Sequence, residues 1–307
     1  VLETPGFAGI AGSNEHASLA GPFGDWARDH GVEPILHLFR VPVLDMGYGD
    51  TATVPAAYVL KYMNPATVVS LMVASLAPWS RLDRVEAVVG GFGRLFEELA
   101  ARMDVRLNSQ VTGMTRGDSI EVAWTHDGVA QTETFDAVVV TCDPRAAARF
   151  MDWTDSERET FEGVRSNDYV VTVCELVGHE RFENFYTLTT GNPNGPHSGG
   201  RQRRDSQVAH FYSQPTLPNT DETLVAIVEA EVPQLFPGAT VKQHLATHRY
   251  EYFPHVDCQR FAGGFYDRIE ALQGQRGTWY GGGLLAFESV ETVVRYSEAL
   301  AKRMAGL

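Results

Sequence analysis

Gly281-Gly282-Gly283-Leu284-Leu285-Ala286-Phe287-Glu288-Ser289-Val290-Glu291 is a glycine turn that runs into the helix closing the chain. A turn of this kind presents free backbone N–H groups to an anion or a polarised carbonyl. Thr278-Trp279-Tyr280, just before it, has the composition of a strand. Upstream, Glu86-Ala87-Val88-Val89 leads into a second glycine-led segment, Gly90-Gly91-Phe92-Gly93-Arg94-Leu95. It opens an amphipathic helix from Arg94 to Met103, with Leu95, Phe96, Leu99 and Ala100 on its apolar side. Val105 to Asn108 is expected as a short strand, and Val111 begins another. Ile120 to Trp124 and Gln131 to Phe135 alternate as a hairpin around Asp127-Gly128. Asp136 to Thr141 is a run of the kind found in strands buried on both faces, and Pro144 and Arg145 open a helix after it. No Gly-x-Gly-x-x-Gly follows a hydrophobic strand, so the usual grip on a dinucleotide pyrophosphate is absent from this sequence.

Residues 1 to about 24 are rich in Gly, Ala, Ser and Pro without a sustained period, as in a loop. The chain opens on Val1 in the manner of a connecting segment, and we expect a further amino-terminal segment, removed or carried on another chain. Asp25 to Gly31 suggests a short helix with an Asp cap and a Gly stop. Val54 to Leu76 suggests two helices separated at Pro65. Strands are expected at Tyr169 to Leu176, Gln207 to Tyr212 and Leu224 to Glu229, and a helix from Thr240 to about His248. Gly191 to Gly200, followed by Arg201, Arg203 and Arg204, has the composition of a polar, mobile surface loop, with an anion-binding lid as the alternative.

The 307 residues suffice for two domains, and 44% apolar with 21% charged residues is the balance of an ordinary globular protein. A net charge of −14 argues against nucleic acid and anionic membrane surfaces as partners. No stretch is apolar enough for a transmembrane segment, and Cys142, Cys174 and Cys258 are too scattered for a disulfide framework, which favours the cytoplasm.

The order of glycine pair, helix, strand, hairpin and buried strand ending Thr141-Cys142-Asp143-Pro144 resembles the middle of the flavin-containing amine oxidase superfamily. The closing segment, from Gly277 through Glu291 to Tyr296-Ser297, resembles that family's carboxy-terminal flavin motif. Phe39-Arg40-Val41-Pro42, Gly47-Tyr48-Gly49 and Val54 to Tyr62 are similar to the branch containing bacterial polyunsaturated fatty acid (linoleate) isomerase. Two departures stand out: the family's opening βαβ unit, with its acidic ribose ligand, has no counterpart here, and Leu284-Leu285-Ala286 replaces an Ala-Gly-Glu-like closing turn.

The resemblance implies a mixed α/β fold, an incomplete FAD-binding Rossmann-like domain interleaved with a substrate domain of mixed sheet and helices. It divides the chain into a substrate or helical region (1–85), an FAD-binding part (86–149), a substrate domain (150–265) and a second FAD-binding part (266–307). It further implies an oxidoreductase or isomerase using FAD, with hydride moving between a substrate C–H and flavin N5, and a small-molecule or lipid-like substrate. Val111 would lay its backbone against the adenine. Gly282 and Gly283 would admit the cofactor closely, Phe287 and Glu288 would flank its ring, and Ser289, Val290 and Glu291 would direct helix-start N–H groups to it. Phe39, Tyr48, Tyr58 and Tyr62 would wall an apolar substrate tunnel, with Lys61 able to meet a carboxylate.

Several of these residues have a plainer reading: Val111 as a strand valine, Ser289 as an N-cap, Glu288 as a solvated carboxylate, Lys61 as a surface lysine, and Phe39, Tyr48, Tyr58 and Tyr62 as core aromatics. His244, His248, His255 and Cys258 offer metal-ligand types, but the spacing lacks a zinc knuckle and no metal is expected. A flavin-free binding subunit is the competing function, a zinc hydrolase a weaker one, and homo-oligomerisation is left open.

Overall fold

The computed structural model describes residues 5–12, 17–76, 88–180, 183–187, 192–201 and 203–306. Glu86, Ala87 and Gly191 lie outside them. In chain order the first elements are α1 (Phe23–Asp29), α2 (Ile35–Asp45), α3 (Ala56–Tyr62), α4 (Pro65–Leu76) and α5 (Gly91–Ala100). There follow β1 (Ser109–Arg116), β2 (Ile120–His126), β3 (Val129–Phe135), β4 (Val138–Val140), α6 (Pro144–Ala147) and α7 (Asp155–Phe161). The next stretch holds β5 (Arg165–Val177), β6 (Asn184–Tyr186), β7 (Pro196–Arg201), β8 (Val208–Ser213), α8 (Asp221–Leu235) and β9 (Thr240–His255). The chain closes with α9 (Cys258–Ala262), α10 (Phe265–Leu272), β10 (Thr278–Tyr280), α11 (Gly283–Ala286) and α12 (Val290–Met304). The result is a mixed α/β fold. It divides into two units, the first essentially Phe7–Val59 with Gly163–Asp267, the second essentially Leu60–Glu162 with Arg268–Leu307.

The first unit is built on a five-stranded antiparallel sheet in the order β6-β7-β8-β5-β9. Alternation in β5 and β8 sends Cys174, Leu176, Ala209 and Phe211 to one face, where α8 packs Val228 and Val232 against them. Tyr169, Tyr212 and Tyr252 form a second aromatic cluster, with Tyr169 5.5 Å from Tyr252 and 6.0 Å from Tyr212. The end of α2 is tied to it: Tyr169 donates to the Asp45 carbonyl, Ser198 to the Asp45 carboxylate, and Asn167 to the Gly47 carbonyl at 2.7 Å.

Three expectations change here. Leu224 to Glu229 is helical, because Thr220 and Thr223 form a capping box and Leu224, Val228 and Val232 repeat at four-residue spacing as one buried stripe. Thr240 to His248 is strand, since β-branched and aromatic residues run on to His255 and pair along nearly all of β5. Of the expected polar loop, residues 192–195 are turn and bend as expected, but 196–200 belong to β7, buried throughout between β6 and β8. Glycine is required there: a Cβ on Gly199 would stand 2.4 Å from the His210 carbonyl oxygen. Arg201 is buried, donating to the backbone carbonyls of Ser206, Arg204 and His179, while Arg203 pairs with Asp205 at 2.6 Å.

The second unit carries the antiparallel meander β1-β2-β3 and the parallel pair β10-β4. The hairpin around Asp127-Gly128 forms as expected. Residues 105–108 make no strand, and Val139 in β4 is 40% exposed, so that run is not covered on both faces. In the first unit α1 starts at Phe23, which puts Asp25 in its first turn and not at its cap.

Candidate functional site

The glycine turn forms a compact corner in the second unit. Gly281 N donates to the Val140 carbonyl at 3.0 Å, extending the β10-β4 pairing by one bond. Gly282 has φ +95°, and a Cβ there would meet the Thr141 carbonyl oxygen at 2.8 Å. A Cβ on Gly283 would meet Glu288 Cγ at 2.7 Å, so the missing side chain makes room for Glu288. Phe287 is buried with φ +75°, a left-handed conformation rare for an aromatic residue, and its ring lies 6.2 Å from Tyr62 in a stacked arrangement. Ser289 caps α12 by accepting from Thr292 N at 3.2 Å, and Thr292 Oγ1 donates back to the Phe287 carbonyl at 2.8 Å.

Beside this corner lies a cavity of about 280 Å³ lined by Lys61, Asn64, Glu291, Thr292 and Arg295. Lys61 is 5% exposed. Burial, with the Arg295 guanidinium adding to it, lowers its ammonium pKa to about 8. A helix start flanked by two cations suits an electron-rich group, which is what the pyrimidine edge of a flavin presents. Glu291 and Arg295 pair on the helix surface at 2.8 Å.

Val111 stands in β1 opposite Trp124, next to a register shift before Gly113. It lines a shallow cleft of about 370 Å³ with Arg106, Val122, Trp124 and Phe135, and the Arg106 guanidinium lies 5.4 Å from the Trp124 ring centroid. Asp104 and Ser109 also line it, and Arg106 is paired with Glu133 at 2.6 Å and Asp104 at 3.3 Å, so what the cleft offers an aromatic base is the stacking surface of Trp124 and Phe135. The second unit therefore offers two concave places whose residue types are compatible with parts of a flavin nucleotide, the cleft at Val111 and the corner before α12.

What ties these two regions is a network that the sequence did not advertise. Arg116, fully buried at the end of β1, donates to Glu157 at 2.6 and 2.9 Å, to Asp152 at 2.7 Å and to Thr278 of β10 at 3.3 Å. Tyr280 donates its hydroxyl to the same Glu157, and Arg276 pairs with Asp152 at 2.6 Å. Burial disfavours the charged Glu157, but hydrogen bonds from Arg116, Tyr280 and the Thr154 amide outweigh it and hold the carboxyl at about 2. The one signal in the sequence was Glu157 at the third position of a Thr154 capping box.

Of the four expected substrate residues, Tyr62 joins the flavin-motif corner. The other three lie in the first unit: Phe39 stacks on Phe23 at 5.8 Å and Tyr48 meets Phe253 at 4.9 Å. Tyr58 is fully buried, its hydroxyl 2.6 Å from that of Tyr266. That unit has its own cavity, about 620 Å³, whose wall includes Arg40, Leu44, Val54, Arg165, His197 and Gln214. Arg165 pairs with Asp257 at 3.0 Å. His197 is 4% exposed, and burial lowers its pKa to about 4, leaving a neutral imidazole. Sequence reading had no signal for this cavity, because its wall comes from five separate stretches of chain. His244 and His248 sit on β9, where residues four apart are about 13 Å from each other. Among the described residues no three metal-ligating side chains converge, and no described helix is long and apolar enough to cross a membrane.

Three comparisons bear on this geometry. Residues 46–250 match the family described as flavin containing amine oxidoreductase. No curated protein matches the chain. Among solved structures, the CLA-producing fatty acid isomerase from P. acnes is 25% identical with a TM-score of 0.83, over 94% of this chain and 67% of that one. Cyclohexylamine oxidase from Brevibacterium oxydans IH-35A shares the fold, with 14% identity and a TM-score of 0.60 over 99% and 72% of the two chains. With two thirds of its length matched and a glycine corner, capped helix and strand meander in one unit, the chain belongs to the flavin containing amine oxidoreductase family.

Proposed function

We propose that this chain is the substrate unit and part of the flavin unit of an FAD-dependent enzyme acting on a lipid-like substrate, by moving a double bond along a hydrocarbon chain. The observation that carries this reading is the likeness to the fatty acid isomerase, which extends over 94% of the chain with a TM-score of 0.83. When bound, FAD supplies the hydride acceptor.

The chain's own residues have separate tasks. Val111 and its cleft hold the adenine end. Gly282 and Gly283 keep the corner closed on Thr141 and Glu288, which sets the start of α12. The first-turn N–H groups at Ser289, Val290 and Glu291 favour negative charge next to them, and Lys61 adds a desolvated cation to the same cavity. Phe287 and Tyr62 form an apolar stack that keeps water from that corner. Phe39, Tyr48 and Tyr58 form the aromatic backing of the substrate unit and leave its cavity to other side chains.

A further segment, on the same polypeptide or a partner, is assigned to the pyrophosphate. The exposed apolar side chains of α5, among them Phe92, Leu95, Phe96 and Leu99, support this, because such a face calls for a cover. Three free cysteines are consistent with work in a reducing cytoplasm.

The chain purified together with the segment that grips the pyrophosphate, and incubated with FAD, should retain a yellow chromophore with bands near about 375 and 450 nm. Linoleate added to the loaded protein should emerge as a conjugated isomer absorbing in the ultraviolet, without net oxygen consumption. A colourless protein after FAD addition favours the flavin-free binding subunit; a yellow protein that consumes oxygen and gives no conjugated product favours an oxidase.

A further inference from the structure

The cavity of the first unit has an uneven chemistry. Its wall includes the apolar side chains of Leu44, Val54, Pro55 and Val256. Its polar members are mostly engaged: Arg165 with Asp257, Asn167 with the Gly47 carbonyl, and Asp50, at the exposed rim, with the Ala52 amide at 2.8 Å. Three members are different. Arg40, half-buried on α2, makes no hydrogen bond or ion pair with any described residue. His197 Nε2 and Gln214 Oε1 are buried atoms with no hydrogen-bond partner.

Two of the three cost free energy as they stand: the buried imidazole nitrogen of His197 and the amide oxygen of Gln214 lose hydration without a protein partner in return. The half-buried Arg40 guanidinium keeps its contact with water and has no protein partner to give up. Such groups persist where a ligand completes them. Arg40 brings an always-charged fork matched to two oxygens of a carboxylate. His197, neutral, can carry its proton on Nε2 and donate, and the Gln214 amide presents either a donor or an acceptor according to its orientation. The apolar side chains of the wall then take the hydrocarbon that follows the polar end.

We propose that this cavity receives the carboxylate end of an aliphatic acid, with Arg40 as the counter-cation and His197 and Gln214 as its neutral hydrogen-bonding groups. The inference rests on the reading of a lipid-like substrate given above and specifies which end of that substrate the first unit recognises. An amine substrate would put its cation into a cavity that already holds an unpaired guanidinium, so the site selects against it.

Binding of oleate, oleyl alcohol and oleylamine, each below its self-association concentration, tests this by calorimetric titration of the full chain with and without FAD. Oleate should bind at least about tenfold more tightly than oleyl alcohol, the usual scale for a charged hydrogen-bond pair, and oleylamine should bind weakest. Arg40→Gln should bring oleate and the alcohol within about threefold, and Arg40→Lys should keep part of the preference because it retains charge but not the fork. Equal binding of acid and alcohol by the wild type, or an undiminished preference in Arg40→Gln, overturns the proposal. If Arg40→Gln does not fold, the wild-type ranking of the three probes decides alone. Flavin uptake, read from the visible spectrum of the same samples, separates the two readings: discrimination without flavin removes the flavin enzyme and keeps the carboxylate site, and flavin without discrimination does the reverse.

Discussion

The two units solve the same problem of packing a twisted sheet in opposite ways. The first encloses its sheet: α8 covers one face, and Phe211, Leu176, Val228 and Val232 are almost fully buried. The second leaves much apolar surface open: every residue of β3 is exposed, and Phe96, Leu99 and Leu107 are about half-exposed or more. It holds its strands together with a buried ionic cluster around Arg116. The first unit thus keeps most of its large apolar side chains inside, whereas the second leaves a broader apolar surface open to solvent.

The strongest way to break this contrast is Arg116→Met. It leaves Glu157 as a buried carboxylate without its bidentate partner, and we expect a loss of about 3–5 kcal/mol in denaturant unfolding. A loss below about 1 kcal/mol would mean that the cluster does not hold the second unit. Acid titration approaches the same cluster from the proton side. Glu157 has its folded pKa depressed to about 2, so its contribution is complete above the ordinary carboxylate value and is lost as pH falls toward 2. Up to about 3 kcal/mol should go in this window, and the pH dependence should flatten in Glu157→Gln, measured from thermal midpoints.

In the first unit, Leu176→Ala should cost about 2–4 kcal/mol through the cavity it leaves against α8. Tyr58→Phe should cost about 1–2 kcal/mol, because Tyr266 loses its buried hydroxyl partner. Tyr58→Phe also sharpens its assignment: a core tyrosine lowers stability and leaves oleate affinity alone, whereas a wall tyrosine changes affinity. The smallest effect is expected for Phe96→Ser on the open face of α5. Stability should stay within about 0.5 kcal/mol, while binding of a hydrophobic dye such as ANS should fall. Unchanged dye binding would show that this face is not the apolar patch the comparison makes it.

Much of the second unit was legible in the sequence. The glycine pairs, the hairpin at Asp127-Gly128 and the Ser289 start of α12 are local signals whose geometry is fixed by a few neighbouring residues. The first unit was harder for a physical reason. β9 carries no strand signal that a helix reading excludes in a short window, and its state is set by pairing with β5, far away in sequence. The buried β7 looked like a loop because Gly199 answers to His210 on one side and Gly200 to Glu183 and Asn184 on the other, which no local pattern reveals. Arg40, Lys61 and His197 were illegible as a class: a charged or polar residue declares its burial only once distant chain encloses it.

The pairing of β4 with β10 has a consequence for how the protein is made. Val138 to Val140 leave the ribosome well before their partner Thr278 to Tyr280, which comes only after the whole second segment of the first unit. Until then this hydrophobic strand has no β10 beside it, and Arg116 lacks its contact with Thr278. A nascent chain stalled before Thr278 therefore carries a half-assembled sheet with an open hydrophobic edge, which is when the second unit is most exposed to aggregation.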